Sequence, residues 1–212
     1  MSSAPRKRAV RKAPAERANE LAAAARAVAL DDGLSAVTLR SVAARAEVAP
    51  ALVAHYATGM DELIARTFAQ VVGAELDEID DLLASGTALD RLAALLRTLL
   101  DGSRADVTLV WVDAFAMGQR NDALAAAVRG QMDRWQSTVE GLIADGIAEG
   151  AFRVDSATEA AWLLLGMVDG LNAQSLVRWG GAAERSSLLE RAVEGTLGLP
   201  RGALEGARLP IV

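Results

Sequence analysis

The stretch of sequence that decides the fold is residues 38–56, TLRSVAARAEVAPALVAHY. Thr38 is a suitable N-cap for a short helix over LRSVAARA, and Pro50 suits the first turn of a second short helix that ends near Tyr56. Only a tight turn around Glu47 separates the two helices. This arrangement predicts a helix-turn-helix, a unit whose second helix enters the major groove of DNA.

Helical periodicity continues on both sides of this unit. Before it, apolar residues spaced as one helical face run through residues 15–31, and Gly33 provides a natural stop. After it, Thr58 and Asp61 resemble a helix start, and the apolar pattern then carries one long helix to about residue 85. Five further helices are predicted, over residues 87–100, 107–118, 122–150, 156–179 and 185–197. The sequence thus predicts nine helices and no convincing strand, which is an all-α fold.

Composition disfavours much of enzyme chemistry. The 212 residues contain no Cys and one His, which excludes disulfides, thiolate metal sites and cysteine nucleophiles and makes histidine metal cages improbable. We therefore expect no metal, no cofactor and no catalytic residue. No apolar run reaches membrane-spanning length, and the basic N-terminus leads into ERANE instead of an apolar secretory segment. A cytoplasmic protein without a membrane partner is expected.

Charge is divided unevenly along the chain. Although the net charge is −6, residues 1–66 hold ten Lys and Arg against seven Asp and Glu. Five basic residues and no acidic one lie in the first twelve positions: Arg6, Lys7, Arg8, Arg11 and Lys12. A short basic arm on an acidic protein favours local contact with a polyanion such as DNA. The alternative is a solvated tail that only aids solubility.

Residues 16–66 resemble the DNA-binding unit of the TetR/AcrR family of one-component bacterial transcriptional regulators. The resemblance lies in the first helix with Gly33, the TLRSVAARA segment, the His55-Tyr56 pair and the helix start at residues 61–64. Two later stretches, WVDAFAMGQRNDALAAAVRGQMDRW and LLLGMVDGLNAQSL, are similar to the regulatory domain of the subgroup that includes the choline-responsive repressor.

The resemblance implies the domain organisation and the function. It implies a disordered basic arm (1–14), a three-helix helix-turn-helix DNA-binding domain (15–58), a helical ligand-binding and dimerisation domain (59–200) and a C-terminal tail (201–212). Such a protein is a homodimer that binds a palindromic operator in double-stranded DNA, more often as a repressor, and leaves it when a small, partly apolar inducer binds.

The resemblance also implies which residues meet DNA. Four side chains are expected to hold the phosphate backbone: Thr38, Arg40, His55 and Tyr56. Four positions of the recognition helix are expected to face base edges: Ala49, Pro50, Ala51 and Ala54. Small apolar side chains contact thymine methyl groups but form no bidentate hydrogen bonds, so DNA shape and the basic arm should assist recognition. Alternatively, the His55-Tyr56 pair only closes the core of the small domain.

Four residues depart from the family pattern. Glu47 stands at a turn position that usually holds Gly, Ala54 and Ala57 replace aromatic residues, and Met60 replaces a phosphate-contacting Lys. A carboxylate near phosphates and a lost cation both weaken DNA binding, and a positive φ at residue 47 would cost about 1 kcal/mol without glycine. We therefore hypothesise a lower operator affinity than is usual in the family, with the basic arm compensating.

The resemblance implies that the later helices enclose an inducer pocket, and eight of their residues are candidates for lining it: Trp111, Asp113, Phe115, Met132, Trp135, Trp162, Leu165 and Asp169. The apolar members of this set are equally suited to filling a core. Asp113 interrupts the apolar run VWVDAFAM, where burial would require a partner or a ligand cation, although an exposed position would also explain it. Asp169 is either a pocket group or a satisfied core group.

A small-residue stripe and the last helix suggest a dimer interface. The candidate residues are Gly166, Gly170, Ala173, Leu188 and Leu189. Small residues at helical spacing let another helix approach closely, as in a four-helix bundle formed by two subunits. Close packing within one chain is the alternative.

Two rival functions remain open at this point. One is a helical small-molecule-binding protein whose DNA binding is weakened or lost, which the four departures favour. The other is an all-α enzyme with Asp113 or Asp169 as acid or base. No carboxylate pair, metal-ligand spacing, phosphate loop or activated nucleophile supports the enzyme, so we expect none.

Overall fold

The computed structural model describes residues 13–207. This part of the chain forms nine α-helices and one 3₁₀ turn and contains no strand, so the predicted all-α fold is confirmed. The α-helices are α1 (Pro14–Asp32), α2 (Leu39–Arg45), α3 (Pro50–Tyr56), α4 (Met60–Leu82), α5 (Ala88–Leu100), α6 (Ala105–Gly118), α7 (Asp122–Ala148), α8 (Ala157–Leu176) and α9 (Ala182–Thr196). The five basic residues of the predicted arm (1–14), Arg6, Lys7, Arg8, Arg11 and Lys12, lie outside the described residues, whereas its last residue, Pro14, begins α1.

Helices α1 to α3 form the predicted helix-turn-helix unit. The hydroxyl of Thr38 accepts a hydrogen bond from the Ser41 backbone N–H, and the Ser41 hydroxyl bonds the Thr38 N–H in return, so both ends of this capping box are formed. Pro50 stands in the first turn of α3, where its missing N–H has no helical partner to lose. Gly33 ends α1 with a φ of 89°, and the 3₁₀ turn Leu34–Ala36 leads into α2.

Helix α4 connects this unit to the rest of the molecule. It begins after Gly59, which provides no side-chain cap, so the predicted start at Thr58 is wrong. Its apolar face is buried, with Phe68 and Ile79 fully enclosed, and it packs mainly against α7. Because the same rigid helix touches α1 at one end and the C-terminal helices at the other, it holds the two regions together.

Helices α5 to α9 form the C-terminal domain around α7. Side chains of Thr87, Asn121 and Ser156 cap α5, α7 and α8 by accepting backbone N–H bonds. Helix α8 ends at Leu176 and not at residue 179 as predicted, and Arg178 then turns the chain with a positive φ. Beyond α9 the chain folds back, because Leu204 is buried and its N–H donates to the carboxylate of Glu194.

Candidate DNA-binding face and ligand cavity

The recognition helix presents its predicted base-facing positions to the outside. Four residues of α3 and its N-cap are exposed: Ala49, Pro50, Ala51 and Ala54. Val53, on the opposite face of α3, is buried and packs into the small domain's core. Helix α3 is therefore anchored by one side and leaves a smooth, small-residue surface free for a groove of DNA.

The residues predicted to hold phosphates surround that surface. Thr38, Arg40 and His55 are exposed, whereas Tyr56 is half-buried and packs against the core. The His55 and Tyr56 rings meet edge to face, with 5.4 Å between their centroids. Tyr56 therefore contributes to the core of the small domain, as one interpretation of the sequence expects. His55 remains exposed and available to a phosphate, as the other expects.

The departures from the family pattern have local consequences. Glu47 has a φ of 53°, so the turn does require a left-handed residue and glutamate is strained there. Met60 and Ala57 are half-buried and pack against the core, so their apolar character serves the junction between α3 and α4. Arg45 is partly neutralised by Asp31, 2.7 Å away, whereas the exposed Arg40 of α2 is not paired with a carboxylate in the described residues.

A cavity of about 200 Å³ lies in the C-terminal domain and is partly open to solvent, because lining residues such as Trp162 and Met132 are exposed. Its wall comes from α4, α5, α6, α7, α8 and the segment before α6. Six of the eight residues predicted for a ligand pocket lie in this wall: Trp111, Met132, Trp135, Trp162, Leu165 and Asp169. The fold therefore brings together three tryptophans from three different helices, and the cavity has an aromatic lining.

The other two predicted pocket residues lie elsewhere. Asp113 is turned toward the DNA-binding unit, where its Oδ2 accepts a hydrogen bond of 2.8 Å from the backbone N–H of Ser35. Phe115 contacts the Trp111 ring, at 5.6 Å between centroids, and is partly exposed outside the cavity. The prediction for both residues differs from the structure because α6 contacts the cavity with one face and the loop after α1 with another.

Sequence reasoning missed three charged residues in the cavity wall: Glu75, Arg104 and Asp133. Glu75 of α4 is only 7% exposed, although it is a carboxylate. A signal was present, because Glu75 follows the buried Val71 and Val72 at helical spacing and so belongs to the apolar face of α4. Arg104 and Asp133 have no such signal, because both lie where a charged side chain would ordinarily be exposed.

Glu75 faces Arg104 across the cavity wall. Arg104 Nη1 lies 3.6 Å from Glu75 Oε1, and Arg104 Nη2 donates to Glu78 Oε2 at 3.0 Å. Burial raises the pKa of Glu75 to about 7, although the positive charge of Arg104 and a hydrogen bond from Trp111 act in the opposite direction. Near neutral pH this carboxyl therefore gains or loses a proton readily.

Asp169 of α8 is a carboxylate without a countercharge. Its side chain lines the cavity and stays exposed in the single chain, and partial desolvation by the surrounding protein raises its pKa to about 6. Burial is the only cause of this pKa shift, and no basic side chain of residues 13–207 forms an ion pair with it. The cavity thus holds a carboxylate beside aromatic rings, a combination that suits an organic cation.

An apolar face on α8 and α9 is left open in the single chain. Five large side chains are exposed there or in the connection between the two helices: Trp162, Leu163, Val177, Trp179 and Leu188. Gly166 and Gly170 have no neighbour within 4 Å of a β-carbon position, and Ala173 is half-buried. Leu189 differs from the prediction, because it is 1% exposed and belongs to the core, so it cannot contact a partner subunit directly.

Residues 13–207 hold no group of His, Asp and Glu arranged to bind a metal ion. None of the helices between these residues is long and apolar enough to span a bilayer.

Two family models match the chain. Residues 21–67 match the model described as bacterial regulatory proteins of the tetR family. Residues 88–198, more than half of the chain, match the model described as the C-terminal domain of BetI-type transcriptional repressors. The chain belongs to the TetR family. This TetR-family protein is accordingly a DNA-binding, ligand-responsive transcriptional regulator with a repressor-type C-terminal domain. The alternative of a helical small-molecule-binding protein with weakened or lost DNA binding is not favoured.

Solved structures share the fold of this TetR-family regulator. A transcriptional regulator from Saccharomonospora viridis in complex with choline has 22% identity and a TM-score of 0.75, over 85% of this chain and 96% of that one. A regulator from Pseudomonas aeruginosa has 22% identity and a TM-score of 0.73, over 93% and 97%. FadR from Bacillus subtilis, in complex with stearoyl-CoA, has 18% identity and a TM-score of 0.66, over 84% and 98%. No curated protein matches the sequence.

Proposed function

We propose that this regulator represses transcription as a homodimer on a palindromic operator and leaves the DNA when its cavity binds a small organic cation. The observation that carries the ligand class is Asp169, an unpaired carboxylate in a cavity lined by three tryptophans. Aromatic faces attract quaternary ammonium groups, and a nearby carboxylate supplies the countercharge. The choline bound by the Saccharomonospora viridis regulator is a ligand of this kind.

The exposed face of α8 and α9 supports the homodimer. Leu163 and Leu188 are each about half exposed, and Gly166 and Gly170 allow a second helix to approach closely. Trp162 is 74% exposed and also lines the cavity, so a partner subunit on this face would cover the cavity's outer wall. A symmetric pair places two recognition helices about 34 to 36 Å apart, which matches a palindromic operator.

DNA recognition in this proposal combines weak base contacts with backbone contacts. Ala51 and Ala54 of α3 offer only methyl groups to the major groove, which suits thymine methyls. Arg40 and His55 are free to bind phosphates. The basic residues before residue 13 add charge that does not depend on base sequence.

Helix α6 links ligand and DNA in this scheme. Trp111 lines the cavity, and two residues further along the same helix Asp113 binds the backbone of the DNA-binding unit. A ligand that shifts Trp111 therefore displaces a contact of the helix-turn-helix. Coupling free energies between such sites are typically about 1 to 3 kcal/mol, a change of roughly 5- to 150-fold in DNA affinity.

Choline binding to the full-length protein tests the ligand class. Tryptophan fluorescence titration would compare choline with its uncharged tert-butyl analogue, in which carbon replaces nitrogen. We expect choline to bind more tightly to the wild type, and Asp169→Asn to remove that preference. Asp155→Asn, an exposed carboxylate outside the cavity wall, is the matched control. Equal binding of both ligands, or a preference retained in the Asp169 variant, would exclude a cation held by Asp169.

A further inference from the structure

Glu75 and Arg104 lie between two hollows of the molecule. On one side both residues line the ligand cavity. On the other side both line an outer recess of about 310 Å³ between α1, α4 and the start of α6, which also contains Arg26, Glu78 and Asp106. The ion pair formed by Glu75 and Arg104 is therefore a shared wall between the two hollows.

Arg104 is held by one carboxylate in each direction. Its Nη1 atom faces the buried Glu75 at 3.6 Å, and its Nη2 atom bonds the exposed Glu78 at 3.0 Å. Arg104 is also the N-cap residue of α6 and makes no side-chain cap, so its side chain is not tied to its own helix. The guanidinium can move outward without losing every partner, because Glu78 and Asp106 lie in the outer recess.

We propose that the guanidinium of Arg104 occupies the Glu75 end of the ligand cavity in the free protein, where it substitutes for the cationic group of a ligand and restricts which ligands bind. This inference rests on the proposed function, because it requires a cationic ligand. Glu75 is the buried carboxylate for which the two cations compete, and a ligand cation reaches it only when Arg104 moves into the outer recess.

Competition follows from the charges and the space available. A buried carboxylate is costly without a partner, so Glu75 favours a cation beside it whenever it is ionised. Two cations beside the same carboxylate in a small cavity would repel each other, so the ligand and Arg104 exclude one another at this position. Only a ligand that interacts well enough with Asp169 and the tryptophans displaces Arg104, and this makes Arg104 a specificity-determining residue.

The displaced guanidinium would also approach the DNA-binding domain. Arg26 of α1 lines the outer recess, and its Nε atom is buried without a hydrogen-bond partner. A second guanidinium entering the recess would bring like charges together near α1. Displacement of Arg104 by a ligand therefore carries an electrostatic signal toward the helix-turn-helix, in addition to the contact made by Asp113.

Replacing Arg104 by Gln tests the proposal. An internal competitor raises the apparent Kd of the ligand, because the ligand binds only those molecules in which the position is free. A position that is free in about one molecule in ten raises the apparent Kd about ten-fold. Choline titrations in alkaline buffer, where Glu75 is ionised, should therefore show about ten-fold tighter binding to Arg104→Gln. Binding of the uncharged tert-butyl analogue should stay unchanged, and Glu75→Gln added to Arg104→Gln should abolish the gain.

Arg134→Gln is the matched control. Arg134 pairs at 3.2 Å with Asp77, which lies on α4 like Glu75. Arg134 does not line the ligand cavity. This variant removes a guanidinium of α7 that also pairs with a carboxylate of α4, and it should bind choline like the wild type. The proposal is overturned when Arg104→Gln binds choline no more tightly than the wild type, or when both ligands gain equally.

A structure of the wild-type protein soaked with choline provides a second test that needs no variant to fold. The guanidinium of Arg104 should then have left Glu75 and lie wholly in the outer recess with Glu78 or Asp106, and an Arg104 still at Glu75 in the bound state overturns the proposal. The Arg104 proposal and the proposed function can fail independently of each other. DNA release by choline without a gain in Arg104→Gln refutes only the competitor, whereas a gain without DNA release refutes only the repressor scheme.

Discussion

The carboxylate of Asp113 accepts a 2.8 Å hydrogen bond from the backbone N–H of Ser35, across 78 positions of the chain. Ser35 lies in the 3₁₀ turn between α1 and α2, and Asp113 lies on α6, two residues after Trp111 in the cavity wall. One helix thus contacts the ligand cavity and the DNA-binding unit within a single turn.

Asp113→Ala should weaken the coupling between ligand and DNA. Loss of a hydrogen bond to a charged group typically costs about 1.5 to 3 kcal/mol, less where the group is half exposed as here. We expect choline to change the operator affinity of this variant several-fold less than that of the wild type. Asp113→Asn, which keeps an acceptor oxygen, should lie between the two. Coupling equal to that of the wild type in Asp113→Ala would show that the contact does not transmit the ligand's effect.

Gly33→Ala should destabilise the protein. Gly33 has a φ of 89°, and an added β-carbon would lie 2.9 Å from Asp113 Oδ2 and 3.2 Å from Leu109. The unfavourable backbone alone costs about 1 kcal/mol or more, and the close contact adds to this. Urea unfolding should show the loss, and combining Gly33→Ala with Asp113→Ala should recover the part due to the contact. Unchanged stability of Gly33→Ala would argue against the tight junction.

Glu47→Gly should stabilise the helix-turn-helix and strengthen DNA binding. Glycine relieves the positive φ of 53° at residue 47, for a net gain of up to about 1 kcal/mol, and removes a negative charge near the DNA. Glu47→Gln separates the two effects, because it removes the charge and keeps the strain. We expect thermal unfolding to shift only for the glycine variant and DNA affinity to rise for both. An identical melting temperature for Glu47→Gly and the wild type would show that the turn is not strained.

Glu75 should make stability depend on pH. Its pKa is about 7 in the folded protein against 4.5 for an unperturbed Glu, so the folded state holds a proton that the unfolded chain has lost. The stability contributed by this group is complete below about pH 4.5 and is lost as pH rises to about 7. Relative to Glu75→Gln, the wild type should lose up to about 3 kcal/mol of unfolding free energy across this window. Denaturant titrations at several pH values measure the difference, and a constant difference would contradict the buried, neutral carboxyl.

Removal of residues 1–12 should abolish most DNA binding. The arm supplies five positive charges, whereas the described recognition helix offers mainly methyl groups to the bases. Each phosphate contact contributes to the salt dependence of binding, so the truncated protein should show a shallower slope of log affinity against log salt. Fluorescence anisotropy at two salt concentrations measures both quantities. An unchanged affinity after truncation would refute the compensating role of the arm.

The fold was predictable because its signals are local. The N-cap at Thr38, Pro50 at the start of α3 and Gly33 at the end of α1 each act through neighbouring backbone groups, and each is present as predicted. The start of α4 was misplaced because Thr58 has the composition of a cap, while the structure begins the helix after Gly59. Helix ends without a side-chain cap leave little trace in the sequence.

The cavity was predictable only in part. The family resemblance implies that Trp111, Trp135 and Trp162 lie on helices around a pocket, and all three line the cavity. The sequence does not say which face of α6 turns toward α1, so the placement of Asp113 in the pocket is wrong. Arg104 was missed because its role depends on two carboxylates of α4 that lie 29 and 26 positions earlier in the chain. Tertiary proximity of this kind follows from packing and not from local pattern.

The most direct test of the central claim is DNA release by an organic cation. The full-length protein would be bound to labelled DNA from upstream of its own gene, with a random duplex as control, and choline would then be added while anisotropy is recorded. Specific, salt-sensitive binding that choline weakens, in the wild type but not in Asp169→Asn, is the result expected from the geometry of the cavity. The claim would be contradicted if choline quenched the tryptophan fluorescence while the DNA affinity stayed unchanged. It would also be contradicted if the protein bound the upstream DNA no more tightly than the random duplex.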